Sequence, residues 1–193
     1  MCATAPWLPP RGRRSVRPEV TPADPLMPDI ELYLVRHAIA ADRGDEWPDD
    51  TKRPLTQRGT DRFKAIVRGL SVLDVEIDEI FTSPLVRAAQ TANLLASGLA
   101  KHATVKRLDA LAPGHAAPAV MAELAKAARR RRVALVGHEP ALGELAAHLI
   151  GARRAIPFRK GGVCRIDLQG FTGARAGTLV WFLPPRVLRK AAT

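Results

Sequence analysis

Hydrophobic positions from residue 30 onward alternate between short continuous runs and helical repeats. Ile30-Glu31-Leu32-Tyr33-Leu34-Val35 is a β-rich run that stops at Arg36-His37 and predicts a first buried strand. Beyond an Asp-rich loop, Phe63, Ile66, Val67 and Leu70 recur at helical spacing, with Thr56 placed as N-cap. Ile77 to Thr82 predicts a second strand. Ser83-Pro84 then supplies an N-cap and a proline at the first helical position, opening a helix that turns Leu85, Ala88, Ala89, Ala92 and Leu95 inward. Val105 to Leu108 predicts a weak third strand. Pro118 opens a third helix through Val120, Leu124 and Ala128, closed by Arg129–Arg132, where cations complement the negative end of the helix dipole. Val133-Ala134-Leu135-Val136 predicts a fourth strand ending at Gly137-His138, and Pro140 starts a fourth helix through Leu142, Leu145, Leu149 and Ile150. Val163–Leu168 and Thr178–Leu183 predict two last strands joined by a Gly-rich turn.

Such alternation predicts an α/β protein, a three-layer α/β/α sandwich with helices on both faces. Its mostly parallel sheet becomes mixed through a final hairpin. The stretch before it, residues 1–28, carries Pro6, Pro9, Pro10, Pro18, Pro22, Pro25 and Pro28 among arginines without hydrophobic periodicity. We expect a poorly ordered Pro/Arg-rich tail there and one domain over residues 29–193. Arginines and prolines occupy the place of a secretory signal's apolar segment, so export is not expected.

Composition narrows the class. The chain has 193 residues, 47% of them hydrophobic and 25% charged, enough for one core without staples. No apolar run approaches the roughly 18–20 residues of a membrane span. Cys2 and Cys164 make neither a disulfide framework nor a zinc ligand set, so the cytoplasm is the expected compartment. The formal charge of +11 invites a nucleic-acid reading, with basic patches at Arg11–Arg17, Arg129–Arg132 and Arg153–Lys160. Aromatic residues are only 5% of the chain, too few for a base-stacking platform. We therefore expect a solvated basic surface able to steer an anionic or acidic protein substrate, with neither nucleic acid nor membrane as partner.

Ligands of an open α/β sheet bind beyond the carboxyl ends of its strands. Arg36 and His37 leave the first strand there, Arg87 lies in the first turn after the second, and His138 leaves the fourth. A pocket of arginines, histidines and helix starts suits a phosphate group. His138-Glu139 does not open a zinc helix, because Leu142 stands where a second histidine is needed. His102, His115 and His148 have no motif around them and are assigned to surface or packing.

Four ordered segments carry a resemblance. Leu34-Val35-Arg36-His37-Ala38, Arg53-Pro54-Leu55-Thr56-Gln57-Arg58-Gly59, Ser83-Pro84-Leu85-Val86-Arg87-Ala88-Ala89-Gln90-Thr91 and Gly137-His138-Glu139-Pro140 resemble the motifs of the histidine phosphatase superfamily, over about Ile30 to Leu183. That superfamily includes the cofactor-dependent phosphoglycerate mutases, so a phosphoglycerate mutase-like fold is implied. The short link between the last two motifs, the lack of a cap insertion and the stretch Phe158-Arg159-Lys160-Gly161-Gly162 are similar to the small phosphohistidine phosphatases of the SixA type. Ala38 replaces the family's glycine, and a methyl group fits wherever the turn needs no positive φ. Relatives acting on alcohol phosphates place a glutamate after the third strand, where this chain has Ala110, with Asp109 one residue away.

The resemblance implies that His37 is the nucleophile, that Arg36 and Arg87 clamp phosphoryl oxygens, that His138 donates a further hydrogen bond, and that Arg53 adds a phosphate contact. It implies no metal and no cofactor. Imidazole leaves as a weaker base than an alkoxide and needs less help from an acid, so the substrate implied is phosphohistidine on a protein domain. Two competing readings are a small-molecule phosphomonoesterase, with Asp109 as proton donor, and a catalytically weak binding module.

Overall fold

The computed structural model describes residues 29–99, 103–172 and 176–192. The expected tail, Cys2 and His102 lie outside them. Six strands, β1 (Ile30–Arg36), β2 (Glu79–Thr82), β3 (Thr104–Arg107), β4 (Arg132–Gly137), β5 (Val163–Leu168) and β6 (Thr178–Leu183), form one sheet in the order β3-β2-β4-β1-β5-β6. β1, β2, β3 and β4 pair in parallel, while β5 runs antiparallel to both β1 and β6. Between them lie α1 (Gln57–Val72), α2 (Val86–Leu99), α3 (Ala117–Ala127) and α4 (Ala141–Ile150), and α5 (Pro185–Ala191) follows β6.

Side chains of the central strands alternate between two cores, as the twofold repeat of a strand requires. Leu32, Leu34, Val133 and Leu135 join Val120 and Leu124 of α3 and Leu142, Leu145 and Leu149 of α4. Tyr33, Val35, Ala134 and Val136 join Phe63, Ile66 and Leu70 of α1, Ala88, Ala92 and Leu95 of α2 and Leu188 of α5. The three-layer α/β/α sandwich with a mostly parallel, mixed sheet is therefore the observed fold. Because β1 and β4 are covered on both faces, they read in sequence as nearly continuous apolar runs.

Three local expectations need correction. Helix α2 begins at Val86 rather than after Ser83: the Ser83 N–H still donates to Val136 O, continuing the pairing with β4, and Leu85 O is the carbonyl that accepts from both Ala88 and Ala89. Arg129–Arg132 do not close α3, which ends at Ala127 with Lys126 in its last turn. Arg129 N–H instead donates to the buried Glu79 carboxylate at 2.9 Å, and Arg132 opens β4 with its guanidinium on Asp78 and Glu76. Helix α5 was not expected. Only Leu188 among its seven residues is buried, so it offers no hydrophobic repeat to read.

Candidate active site

Strands β1 and β4 lie side by side and parallel, but their chains depart to opposite faces, β1 into α1 and β4 into α4. A crevice opens at such a switch point beyond the strand ends. His37 leaves β1 with its N–H on Gly137 O at 3.1 Å, and His138 follows Gly137 directly. The two imidazoles stand 5.0 Å apart, centroid to centroid. Arg87 projects from the first turn of α2, and its charge acts on both rings.

Backbone contacts fix the Arg36-His37 turn from two sides. The Gly161 N–H is shared between Arg36 O and His37 O, and Arg36 N–H donates to Gly162 O. Gly161 has φ +79, and a Cβ there would stand 2.8 Å from Ile66 Cδ1, so the position suits glycine alone. Arg36 Nη1 donates to Phe158 O. On the other side, Ala38 N–H donates to Thr91 Oγ1 at 3.1 Å, and Thr91 Oγ1 donates to Arg87 O at 2.7 Å. Asp74 is the one non-glycine residue with positive φ among those described, so the methyl group of Ala38 meets no backbone strain.

Hydrogen bonds set the imidazole tautomers. His37 Nδ1 lies 2.7 Å from Ala38 O, a pure acceptor, so its proton sits on Nδ1 and the lone pair on Nε2. His138 Nε2 lies 2.8 Å from Ser83 Oγ, which itself accepts from Leu85 N–H. When the Ser83 hydroxyl donates to Nε2, the His138 proton is left on Nδ1. Burial, reinforced by Arg87 and Arg36 and opposed by the Ala38 carbonyl, pushes the His37 pKa down to about 4. Burial first, then His37 and Arg87, pushes His138 down to about 3. Both rings are neutral near pH 7. Burial also lowers Arg36 and Arg87 from the ordinary arginine value.

Among the described residues, four buried side-chain nitrogen or oxygen atoms have no hydrogen-bond partner, and three of them are Arg36 Nε, Arg87 Nε and His138 Nδ1. The two arginine nitrogens are donors, and His138 Nδ1 is a third in the tautomer that takes the Ser83 proton on Nε2. Unsatisfied buried donors are rare, and their grouping here suits an anion.

The four motif residues Arg36, His37, Arg87 and His138 thus share one crevice. Arg53 is buried beside it, but its Nε and Nη2 hold the Asp50 carboxylate at 3.0 and 2.9 Å and its Nη1 donates to Ala41 O. Asp50 also takes Arg87, through Nη1 to its carbonyl at 2.7 Å and Nη2 to its carboxylate at 2.9 Å. Burial raises the Asp50 pKa, yet Arg87 and Arg53 outweigh it and hold the carboxyl below the usual carboxylate value. Sequence reading missed Asp50 and also Ser83 and Thr91 as supports. Asp109 is the exposed residue of the turn Asp109–Leu111, its carboxylate 2.6 Å from Arg107 Nε, while Ala110 and Leu111 are buried. His115 and His148 are exposed, as assigned.

A model of the histidine phosphatase superfamily, branch 1, matches residues 32–117. An uncharacterized protein of a Picosynechococcus species is 40% identical over 152 residues, covering 77% of this chain and 86% of that protein. The phosphohistidine phosphatase SixA of Escherichia coli is 26% identical over 164 residues, covering 84% of this chain and 98% of SixA. A solved structure of the protein histidine phosphatase SixA complexed with tungstate superposes with TM-score 0.71 at 25% identity, covering 82% of this chain and 99% of that one. The chain belongs to the histidine phosphatase superfamily. Phosphatase chemistry is the class that its site and its relatives share, and the SixA proteins are among its structural neighbours. No helix among the described residues is long and apolar enough to cross a membrane.

Proposed function

We propose that the protein is a phosphohistidine phosphatase whose own nucleophile is His37, acting on a phosphorylated histidine of a protein. The observation that carries this reading is the trio of unpartnered buried nitrogens, Arg36 Nε, Arg87 Nε and His138 Nδ1, beside an imidazole whose lone pair is on Nε2. Nε2 attacks phosphorus in line, the bond from phosphorus to the substrate nitrogen breaks, and the departing imidazole leaves with the bonding pair and takes a proton from solvent. Arg36 and Arg87 hold the nonbridging oxygens, and His138 Nδ1–H donates as charge develops on them. Water then attacks the phosphoenzyme, releasing inorganic phosphate and restoring neutral His37. Positive charge from the arginines meets the phosphoryl group, so the reaction needs no metal and no cofactor. Arg53 acts one step back, through Asp50, on the position of Arg87.

Substrate preference follows from leaving-group chemistry. Ala110 stands where alcohol-phosphate relatives carry an acid, and the Asp109 side chain is exposed and engaged by Arg107. An alkoxide leaving group requires that acid far more than an imidazole does. The SixA sequence named for phosphohistidine and the SixA structure solved with tungstate, an oxyanion like phosphate, support the same reading. The test is single-turnover phosphate release from a phosphohistidine protein and from a panel of alcohol phosphomonoesters without added metal. Wild type should prefer phosphohistidine by at least tenfold, and His37→Ala should release nothing above background. Faster turnover of the alcohol esters would overturn the substrate assignment.

A further inference from the structure

Arg36 also lines an open groove of about 830 Å³ that runs away from the phosphoryl site between α1, the segment before β5 and α5. Five more cations line it: Arg62, Arg159, Lys160, Arg186 and Arg189. None of the five has a carboxylate partner among the described residues, in contrast to Arg132 on Glu76 and Asp78, Arg165 on Glu31 and Asp167, Lys106 on Glu79 and Arg107 on Asp109. Arg62 has its pKa lowered by Arg58, outside the groove, then by desolvation and by Arg189 within it. Like charges gathered without counterions are held there at a cost that an incoming anion removes.

Shape and lining decide which anion. The groove is far larger than a single phosphate, and its cations are spread along it rather than converging on one point. Ile39, Pro184, Pro185 and Val187 supply apolar lining between them, and no aromatic ring is present on which a base could stack. Carboxylates interspersed with aliphatic side chains match that alternation. Arg36 belongs to groove and phosphoryl site alike, so the two adjoin.

We propose that the groove binds an acidic segment of the protein that presents the phosphorylated residue, its aspartate and glutamate side chains meeting Arg62, Arg186 and Arg189. The proposal rests on the reading of the substrate as a phosphorylated protein. It is tested with the full chain as wild type, Arg62→Glu/Arg189→Glu and, because Arg186 is exposed and not part of the core, Arg186→Glu. Three substrates are compared: a phosphohistidine peptide with glutamates flanking the histidine, the same peptide with glutamines, and free phosphohistidine. For the acidic peptide kcat/KM should fall at least tenfold in the double variant and severalfold in Arg186→Glu, chiefly through KM. The glutamine peptide and free phosphohistidine should change less than twofold. Equal losses on all three substrates, or no loss on any, would overturn the proposal. A separate binding arm keeps the two readings apart. A fluorescein-labelled, unphosphorylated Glu-rich decapeptide should bind wild type and be lost from the double variant even if no phosphohistidine compound is turned over. Tighter binding of an RNA oligomer of equal charge would overturn the assignment to an acidic peptide.

Discussion

At Arg87 a carboxylate already holds the guanidinium that the proposed chemistry uses. Asp50 takes Nη1 on its carbonyl and Nη2 on its side chain, and its carboxylate draws in Arg53 as well. The backbone contact keeps Arg87 aimed at the crevice, while the carboxylate stands as an internal anion that a phosphoryl group must approach. Asp50→Asn keeps the carbonyl and one side-chain acceptor but removes the charge. Inorganic phosphate should then inhibit the enzyme about three- to tenfold more tightly, a change of about 1 kcal/mol, within the range of partly exposed pairs. Weaker inhibition in a titration of initial rates would show instead that the carboxylate is needed to hold Arg87. At this scale the sequence is uneven in what it reveals. Arg36, His37, Arg87 and His138 stand beside strand ends and helix starts that hydrophobic runs delimit, so their meeting is legible. Asp50 is not, because its role exists only across the 37 residues that separate it from Arg87.

Among the elements, β1, β4, β5 and β6 announce themselves by continuous or alternating apolar runs, and the structure places β5 and β6 where those runs begin and end. The start of α2 is displaced because Ser83 has two other duties, its N–H in the sheet and its hydroxyl on His138. A serine-proline pair cannot report in sequence that it is so engaged. The segment Phe158–Gly162 matters through its backbone, which supports Arg36 and His37, and residue types do not encode carbonyl positions. Helix α5 is attached to α1 by close approach: a Cβ at Gly69 would lie 1.9 Å from Leu188 O. Gly69→Ala should therefore force the two helices apart. Urea unfolding should show a loss of about 1–3 kcal/mol or more, the scale of overpacking a close contact. An unchanged midpoint would mean that α5 contributes nothing to the fold's stability.

Across the whole molecule, charge is distributed by function rather than evenly. In the Arg129–Arg132 patch Arg132 sits on Asp78 and Glu76 and Arg131 reaches Glu31, at the far ends of the strands, whereas Arg159 and Lys160 join an uncompensated groove at the site. Burying two neutral imidazoles also couples the site to global stability. An unfolded chain protonates both near pH 6.5, the folded one only near 4 and 3. The unfolded state therefore binds more protons between these values, and the stability present above about pH 6.5 is lost as pH falls toward 4. His37→Asn should reduce that acid-induced loss, measured as urea unfolding free energy at pH 7.5 and 4.5, by about 2 kcal/mol. An identical loss in wild type and variant would show that His37 is not held neutral by burial. Trapping shows whether His37 itself carries the phosphoryl group. Rapid mixing with a phosphohistidine protein, followed by alkaline quench and peptide mass spectrometry, should find one acid-labile, alkali-stable phosphoryl group on His37. Full turnover with no phosphorylated His37, or with the label on another residue, would contradict the account.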